Sequence, residues 1–264
     1  MRAEPGMIRE GLGALTEDTV LGGALRLRQP RRGHRVGHDA VLLAAACPAQ
    51  AGENVVDLGA GIGAAGLAVA ARASDVTVTL VEIDPDLAAL AAENAQLNGL
   101  EARVRSLTLD AAAPARAFAA AGLAPDSVSR VLMNPPFNDP LRQRTSPDRR
   151  RRLAHAAPRQ TLAAWIRTAA RLLRPRGTLT LIFRADGLAD LLEAVDAAFG
   201  AVAVLPVYPK PDQPAIRILM RATKASRAPL ALLPGLILND AAGHPTPRAE
   251  AVLRTGTTLP LAQL

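Results

Sequence analysis

The stretch that decides the fold is Val55-Val56-Asp57-Leu58-Gly59-Ala60-Gly61-Ile62-Gly63, a short apolar run that enters a turn with three alternating glycines. Residues 64–72 follow with helical composition, so the stretch predicts a strand, a tight turn and a helix. Glycine lets the backbone turn sharply and lets a ligand approach the main chain closely. We therefore expect a ligand site where this strand ends.

The chain around this stretch alternates strands and helices. Strand composition covers residues 55–58, 76–82, 104–109, 128–133, 178–183, 202–207 and 216–220, and helical composition covers 40–47, 64–72, 86–97, 161–173 and 188–199. Asp39 and Asp84 stand where N-caps are expected, and Pro85 fits the first turn of its helix. Helices between successive strands predict an α/β fold with a Rossmann-like, doubly wound and mostly parallel seven-stranded sheet. Such sheets bind ligands beyond the carboxyl ends of their strands.

Three regions are predicted along the chain. Residues 1–48 form an N-terminal arm, a hairpin within 21–35 and a helix that leads into the core. Residues 49–222 form the core, and residues 223–264 form a C-terminal extension packed on it, with a short helix near 247–254. The first 20 residues are expected to be a weakly ordered arm.

Composition excludes several classes of protein. Apolar residues make up 49% of the 264 residues, which is enough for a sizeable core and argues against a disordered chain. No apolar run approaches the ~18 residues of a membrane span, and residues 1–18 lack the apolar segment of a secretory signal. With one cysteine and four histidines, neither a disulfide nor a metal site is expected. We therefore expect a cytoplasmic protein with no membrane partner.

The glycine turn permits two interpretations of its ligand. Residues 61–66 match the dinucleotide pattern G-x-G-x-x-G, and Glu82 ends the next strand, where a carboxylate can accept both ribose hydroxyls. Residues 57–63 also match D-x-G-x-G-x-G, which favours S-adenosylmethionine with Asp57 near its ammonium group. Asp110 follows the third strand and either bonds an adenine amino group or N-caps the helix after it. The predicted cofactor is S-adenosylmethionine, and a nicotinamide dinucleotide is the alternative.

A second motif, Met133-Asn134-Pro135-Pro136-Phe137, directly follows the fourth strand. The plain interpretation is a loop stiffened by its prolines. The functional interpretation is a clamp for a planar –NH2 group, whose two N–H bonds the Asn134 side-chain oxygen and the Pro135 carbonyl can accept. The prolines remove competing N–H donors, and Phe137 offers a flat face on which a base can stack. The candidate catalytic residues are therefore Asn134, Pro135, Pro136 and Phe137, which would align an amine for methyl transfer without a strong general base.

Both motifs together resemble those of class I S-adenosylmethionine-dependent methyltransferases of the N-P-P-[FY] type, and more closely those of the tRNA(Val) adenine-37 N6-methyltransferase group. The resemblance covers residues 16–258, including 29–43 before the core and 247–255 in the tail. It implies that Gly37 and Asp39 border the methionine end of the cofactor. The implied cofactor contacts are Gly37, Asp39, Asp57, Gly59, Gly61, Glu82, Asp110 and Asn134. Residues 134–137 would hold the acceptor, with Phe in place of the Tyr often found there.

Arginine dominates the positive charge of the chain. The formal net charge is +7, from 31 basic and 24 acidic residues. Arginines concentrate in residues 26–35, which contain no acid, and in 142–159, where Asp148 alone opposes them. One cluster precedes the glycine turn and the other follows the clamp, so both can rim the acceptor mouth and bind RNA phosphates. The candidate phosphate contacts are Arg31, Arg32, Arg35, Arg149, Arg150 and Arg151. The alternative is a solvated basic face that reflects an arginine-rich composition.

The favoured function is N6-methylation of an adenine in tRNA. One Trp, one Tyr and four Phe offer no broad stacking surface, which suits a single extruded or loop base held in a pocket. The same chemistry on a guanine N2 in rRNA, a protein glutamine amide or a small molecule stays open. So do a non-catalytic S-adenosylmethionine-binding RNA module and a NAD-dependent oxidoreductase.

Overall fold

The computed structural model describes residues 8–9, 12–31, 36–136 and 150–264, with side chains for all of these except 8–9 and 150–159. The strands are β1 (Ile8–Arg9), β2 (Gly13–Val20), β3 (Leu25–Pro30), β4 (Asn54–Leu58), β5 (Thr77–Glu82), β6 (Val104–Thr108), β7 (Val128–Met133), β8 (Leu173–Arg184), β9 (Phe199–Tyr208), β10 (Arg217–Lys224), β11 (Ala231–Leu232) and β12 (Leu236–Ile237). The helices are α1 (His38–Ala46), α2 (Ala64–Arg72), α3 (Pro85–Leu97), α4 (Ala115–Ala120), α5 (Arg150–Leu172), α6 (Leu188–Asp196) and α7 (Pro247–Thr255).

The main sheet contains seven longer strands in the order β6-β5-β4-β7-β8-β10-β9. The pairs from β6 to β8 are parallel, and β10 is antiparallel to both of its neighbours. In the described part of the chain, β11 and β12 add two residues each beside β9. The predicted seven-stranded, mostly parallel and doubly wound sheet is thus confirmed. The chain first moves outward to β5 and β6 and then returns beside β4 to form β7, so the topological switch point lies between β4 and β7.

Strand side chains alternate between two cores, one on each face of the sheet, because successive residues of a strand point to opposite sides. Val55 and Leu80 belong to the core that α1, α2 and α3 cover. Val56 and Met133 belong to the core that α4, α5 and α6 cover. Burial on both faces explains why apolar residues point to both sides of the central strands.

The N-terminal strands β1, β2 and β3 form a separate antiparallel sheet. The hairpin pairs β2 with β3, so it begins at Gly13 and not within residues 21–35 as predicted. The expectation of a weakly ordered arm is therefore wrong for residues 13–20. Leu25 and Leu27 of β3 are buried, so packing against the main core gives the hairpin its place.

Two asparagines of α3 attach this hairpin to the core. The Asn94 side chain accepts from the Arg28 N–H at 2.8 Å and donates to the Arg28 carbonyl at 3.0 Å. Asn98 makes the same pair of bonds with Arg26, at 2.9 Å and 2.7 Å. Asn94 is fully buried and also donates to the carbonyl of Ile62, at 3.1 Å. The hairpin edge is thus bonded, through one side chain, to the glycine turn.

Some helix boundaries differ from the predicted ones. Asp39 does not N-cap α1, because Gly37 takes that position and the Asp39 carboxylate pairs with Arg217. Helix α5 begins at Arg150, before the predicted residue 161, and β8 follows it at once. Phe199, predicted as helical, starts β9, since α6 ends at Asp196.

The predicted N-cap at Asp84 is confirmed. The Asp84 side chain accepts from the N–H groups of Asp86 and Leu87 and caps α3. Cys47 is buried and free, and burial raises the pKa of its thiol to about 11. Within the described residues, no helix has the length and apolar character needed to cross a membrane, and no group of three His, Cys, Asp or Glu side chains could hold a metal ion.

Candidate active site

The carboxyl ends of β4 and β7 lie side by side at the switch point. Leu58 is the register partner of Met133, and each is the last residue of its strand. Gly59 and Asn134 therefore directly follow two paired strand ends. The fold thus brings the glycine turn and the predicted clamp together.

Backbone geometry explains the glycines of the turn. Gly59, Gly61 and Gly63 have φ angles of +73°, +55° and +87°, in a region that other residues rarely adopt. At Gly61, no described atom lies within 4 Å of the position that a Cβ would take. The Gly61 N–H donates to Glu82 Oε2 at 2.8 Å, which holds the turn against the end of β5. A ligand therefore has room to lie on the main chain at Gly61.

Glu82 ends β5 beside this open side of the turn. The residue is 8% exposed, and its second carboxylate oxygen, Oε1, accepts from the Asp84 N–H at 3.0 Å. Because an ionised carboxylate offers about four lone-pair sites, both oxygens keep capacity for further donors. The position suits the predicted bonds to two ribose hydroxyls, which remain a prediction.

Asp57 supports the turn from the side of α2. It is 2% exposed, and its Oδ2 accepts from the Gly66 N–H at 2.9 Å in the first turn of that helix. Gly63 is the N-cap of α2 and has no side chain, so Asp57 supplies the acceptor that a capping residue would. Burial raises the pKa of the Asp57 carboxyl to about 7; the Gly66 bond lowers it and the Glu82 charge raises it by less. The predicted contact with an ammonium group stays a prediction.

Asn134 carries a polar atom that the protein leaves unused. Its Oδ1 is buried and has no hydrogen-bond partner among the residues described. A buried oxygen in that state costs about 1–3 kcal/mol, so a donor from a ligand would stabilise it. Pro135 is buried and Pro136 is exposed. Phe137 lies outside the described residues.

Two more residues stand next to Glu82. Asp110 is exposed, and its Oδ1 accepts from the Ala112 N–H at 2.8 Å. The alternative that Asp110 N-caps the following helix is wrong, because Pro114 is the N-cap of α4. Ile83, which directly follows Glu82, is 62% exposed. We did not predict Ile83 as a residue of this site. The sequence does show an apolar residue directly after the acid that ends the strand.

The N-terminus of α1 reaches the same edge of the sheet. Arg217 Nε donates to Asp39 Oδ2 at 2.9 Å. Arg217 is the register partner of Arg184, the last residue of β8, so this ion pair lies at the carboxyl edge. Gly37, the N-cap of α1, is exposed there. Sequence reasoning missed Arg217 because the two partners are 178 residues apart.

Trp165 of α5 lies directly against the glycine turn. A Cβ built on Gly59 would stand 2.3 Å from Trp165 Cη2 and 2.6 Å from Cζ3. Gly59 is therefore required by this ring as well as by its φ angle. In the sequence, Trp165 shares helical spacing with Leu162 and Ile166 and looks like any other core residue, so no signal marks it.

The arginine clusters are only partly described. Arg26 and Arg28 of β3 pair with Glu17 of β2, and these arginines lower the pKa of Glu17. The first cluster thus faces an acid from the neighbouring strand, which the window 26–35 did not contain. Arg31 is exposed. Of the other predicted phosphate contacts, Arg32, Arg35 and Arg149 lie outside the described residues, and Arg150 and Arg151 are described by their backbone in α5.

A family model, the methyltransferase small domain, matches residues 34–207 of the chain. The tRNA1(Val) (adenine(37)-N6)-methyltransferase of Tolumonas auensis is 31% identical over 155 residues, which are 58% of this chain and 61% of that protein. The protein of the same name from Dyadobacter fermentans is 28% identical over 76% of this chain and 80% of its own length. A release factor glutamine methyltransferase of Chlorobaculum tepidum is 28% identical over 61% of this chain and 55% of its own length.

The structure is also similar to a solved one. The crystal structure of a predicted O-methyltransferase from Agrobacterium tumefaciens superposes with a TM-score of 0.71 and 32% identity, over 83% of this chain and 97% of that one. These proteins share methyl transfer in their names and differ in the acceptor. The matched segment spans about three fifths of the Tolumonas auensis protein.

Proposed function

The chain belongs to the methyltransferase small domain family, and we propose that it methylates the N6 amino group of an adenine in tRNA, at anticodon-loop position 37. Its methyl donor is S-adenosylmethionine. The family match decides between the two interpretations of the glycine turn and removes the nicotinamide alternative. A tRNA acceptor would place the reaction in the cytoplasm.

The residues at the carboxyl edge fit this cofactor. The main chain at Gly61 is open, as a ligand that lies on the turn requires. Glu82 keeps acceptor capacity at the position where a ribose is expected. Asp110 is exposed on the same edge, where an adenine amino group would meet it. When bound, S-adenosylmethionine supplies a methyl group on a positively charged sulfur, which is already a strong electrophile.

The chain's own contribution is alignment. Asn134 Oδ1 and the Pro135 carbonyl would accept the two N–H bonds of the acceptor amine and turn its lone pair toward the methyl group. The amine nitrogen becomes more acidic as it gains the methyl group, so no strong general base has to act first. Proline at 135 and 136 removes two backbone N–H donors that would compete for the same oxygens.

The observation that carries this proposal is the buried Oδ1 of Asn134, which has no partner among the described residues and follows the strand paired with the one that enters the glycine turn. An amide oxygen is a neutral acceptor, which suits the –NH2 of a base or of an amide. The arginine-rich composition favours RNA over protein as the carrier of that amine. The remaining acceptors are a guanine N2 in rRNA, a protein glutamine amide and a small molecule.

The test is transfer of radiolabelled methyl from S-adenosylmethionine to unmodified tRNA, followed by nucleoside analysis. We expect the label in N6-methyladenosine, and we expect the Asn134→Ala variant to incorporate it about 10²–10³-fold more slowly. Parallel reactions with rRNA and with a release factor cover the other macromolecular acceptors. Label that enters rRNA or protein and not tRNA would overturn the proposed acceptor.

A salt series sharpens the choice between RNA and protein. Binding through phosphates weakens steeply with ionic strength, because it releases counterions from the nucleic acid. We expect the KM for tRNA to rise with added salt while the KM for S-adenosylmethionine changes little. A rate that is insensitive to salt would contradict an RNA acceptor.

A further inference from the structure

Trp165 occupies an unusual place on α5. Leu162 and Ile166 of the same helix are buried in the core, and Trp165 packs against the same core but stays partly exposed. Its ring lies against Gly59, the first residue of the glycine turn. Trp165 is also the one tryptophan of the chain.

The ring meets the turn with its edge. The atoms nearest to a Cβ built on Gly59 are Cη2, Cζ3 and Cζ2, at 2.3, 2.6 and 3.5 Å, and all three belong to the outer rim of the six-membered ring. The rim of the six-membered ring is therefore the part of Trp165 that touches the turn. Gly59 follows β4, and Asn134 follows the paired strand β7, so the indole contacts the end of the turn that lies next to the strand leading into the clamp.

The contact is demanding for both partners. Gly59 needs a left-handed φ of +73°, and the ring excludes even a residue that could adopt it, because a Cβ would overlap Cη2. Trp165 in turn is only partly buried in this position. A helix that only had to fill the core could place a smaller side chain at this position.

We propose that Trp165 is a positioning residue for S-adenosylmethionine, which it borders from the α5 side so that the methyl-bearing end faces Asn134. Its flat apolar ring would limit how deeply the cofactor sits on the turn. The negative face of an indole also suits the positively charged sulfonium and ammonium groups. The inference rests on the cofactor site of the proposed function. It does not depend on which acceptor is methylated.

The single tryptophan provides a direct measurement. The full chain is titrated with S-adenosylmethionine, and separately with S-adenosylhomocysteine, while the indole emission is recorded under excitation that Tyr208 does not absorb. We expect a saturable change in emission, with the Kd that calorimetry gives for the same ligand. Emission that stays constant while calorimetry shows binding would overturn the inference.

Variants separate positioning from stability. Trp165→Phe keeps an aromatic ring, and we expect it to bind S-adenosylmethionine within about threefold of the natural chain. Trp165→Leu loses the flat face, and we expect a Kd about tenfold higher. Phe199→Leu is the matched control, because Phe199 belongs to the same core but pairs with Lys224 at the opposite edge. It should lower the melting temperature and leave the Kd unchanged.

Two results would contradict the inference. One is a Trp165→Leu variant that binds the cofactor as the natural chain does. The other is a Phe199→Leu variant that weakens binding as much, since loss of stability would then explain both. If tRNA is not methylated but the emission responds to cofactor, the proposed acceptor fails and this inference stands.

Discussion

Two asparagines show how the two ends of β4 and β7 differ. At the amino edge, Asn54 donates to the Ser127 carbonyl at 2.7 Å and accepts from the N–H and the hydroxyl of Ser129, both at 2.8 Å. At the carboxyl edge, Asn134 Oδ1 has no partner within the described part of the chain. The same residue type thus joins the strands at one end and keeps a free acceptor for a ligand at the other.

Two glutamates repeat the contrast. Glu53, just before β4, accepts from Arg130 through both oxygens, at 2.8 and 2.7 Å, and also pairs with Arg174. Glu82, at the opposite edge, accepts two backbone N–H groups and no described arginine. In these two pairs, Asn54 and Glu53 are bonded within the protein at the amino edge, whereas Asn134 and Glu82 keep acceptor capacity at the carboxyl edge. The degree of satisfaction, not the residue type, separates the two roles.

The largest expected effect, on the rate of methyl transfer, comes from replacing an asparagine with alanine. Asn134→Ala should reduce the rate of methyl transfer by about 10²–10³-fold, the cost of losing one preorganised hydrogen bond in an active site. Its stability should not fall, because no protein partner is lost. Asn54→Ala should instead cost about 1–3 kcal/mol, since the Ser129 N–H loses its acceptor. Initial rates and thermal melts of both variants measure the split, and a folded Asn54→Ala protein without activity would break the comparison.

Two glycines give the next largest effect. Gly61 and Gly52 both have left-handed φ angles, +55° and +79°, and no described atom within 4 Å of a Cβ position. Alanine should destabilise each by about 1–2 kcal/mol, through backbone strain alone. The methyl group at Gly61 also enters the open side of the turn, so Gly61→Ala should raise the Kd for S-adenosylmethionine about tenfold. Gly52→Ala is the control, and calorimetry that finds both variants equally weakened would contradict the site.

Replacing Glu82 with glutamine should have a smaller effect on the affinity for the cofactor, and Glu53 provides the comparison. Glu82→Gln keeps the size of the side chain and replaces one acceptor oxygen with a donor, so we expect the Kd for S-adenosylmethionine to rise about fivefold. Glu53→Gln leaves Arg130 without an ionised partner and should cost about 2 kcal/mol of stability. Its cofactor affinity should not change. The Kd measured at low salt and the stability measured by urea unfolding distinguish the two variants. A change in Kd for Glu53→Gln would contradict the assignment of roles.

The last expected effect is a pH dependence that Asp57 introduces. Its pKa of about 7 in the folded chain lies above the ordinary value of 3.8, so the folded state binds more protons between these values. Stability from this group is therefore complete below pH ~4 and falls as the pH rises toward ~7. Asp57→Asn stays neutral and should flatten that slope in urea melts across the range.

The same variant tests the predicted ammonium contact. An ionised Asp57 that touches the ammonium group would make the affinity for S-adenosylmethionine rise as the pH passes ~7, and Asp57→Asn would remove the rise. An affinity profile that is the same in both proteins would leave Asp57 the role of supporting α2.

The sequence predicts what short segments determine by themselves. The strand before Gly59, the start of α3 at Asp84 and the strand before Asn134 are confirmed, because apolar runs, caps and glycine turns are local signals. Residues 134 and 82 also reach one edge, since parallel strands place their carboxyl ends together.

What the sequence does not predict depends on contacts between distant residues. Asp39 looks like an N-cap until Arg217, from a strand far along the chain, takes its carboxylate. Trp165 looks like a core residue until the fold sets its edge on Gly59. The hairpin begins earlier than predicted because residues 15–20 pair with β3, whose backbone two asparagines of α3 also bond.

The buried amide of Asn94 has a practical consequence. It joins the Arg28 backbone to the Ile62 carbonyl, so the outer hairpin and the cofactor turn share one hydrogen-bonded side chain. Removing the hairpin would leave an unpaired oxygen inside the protein, next to the turn. Anchoring of the turn by a ligand should, conversely, slow hydrogen–deuterium exchange of the Arg28 amide, although that amide belongs to a separate sheet. Exchange of the Arg28 amide in the hairpin should thus report whether the cofactor site is occupied. A chain shortened by the hairpin would lose this readout.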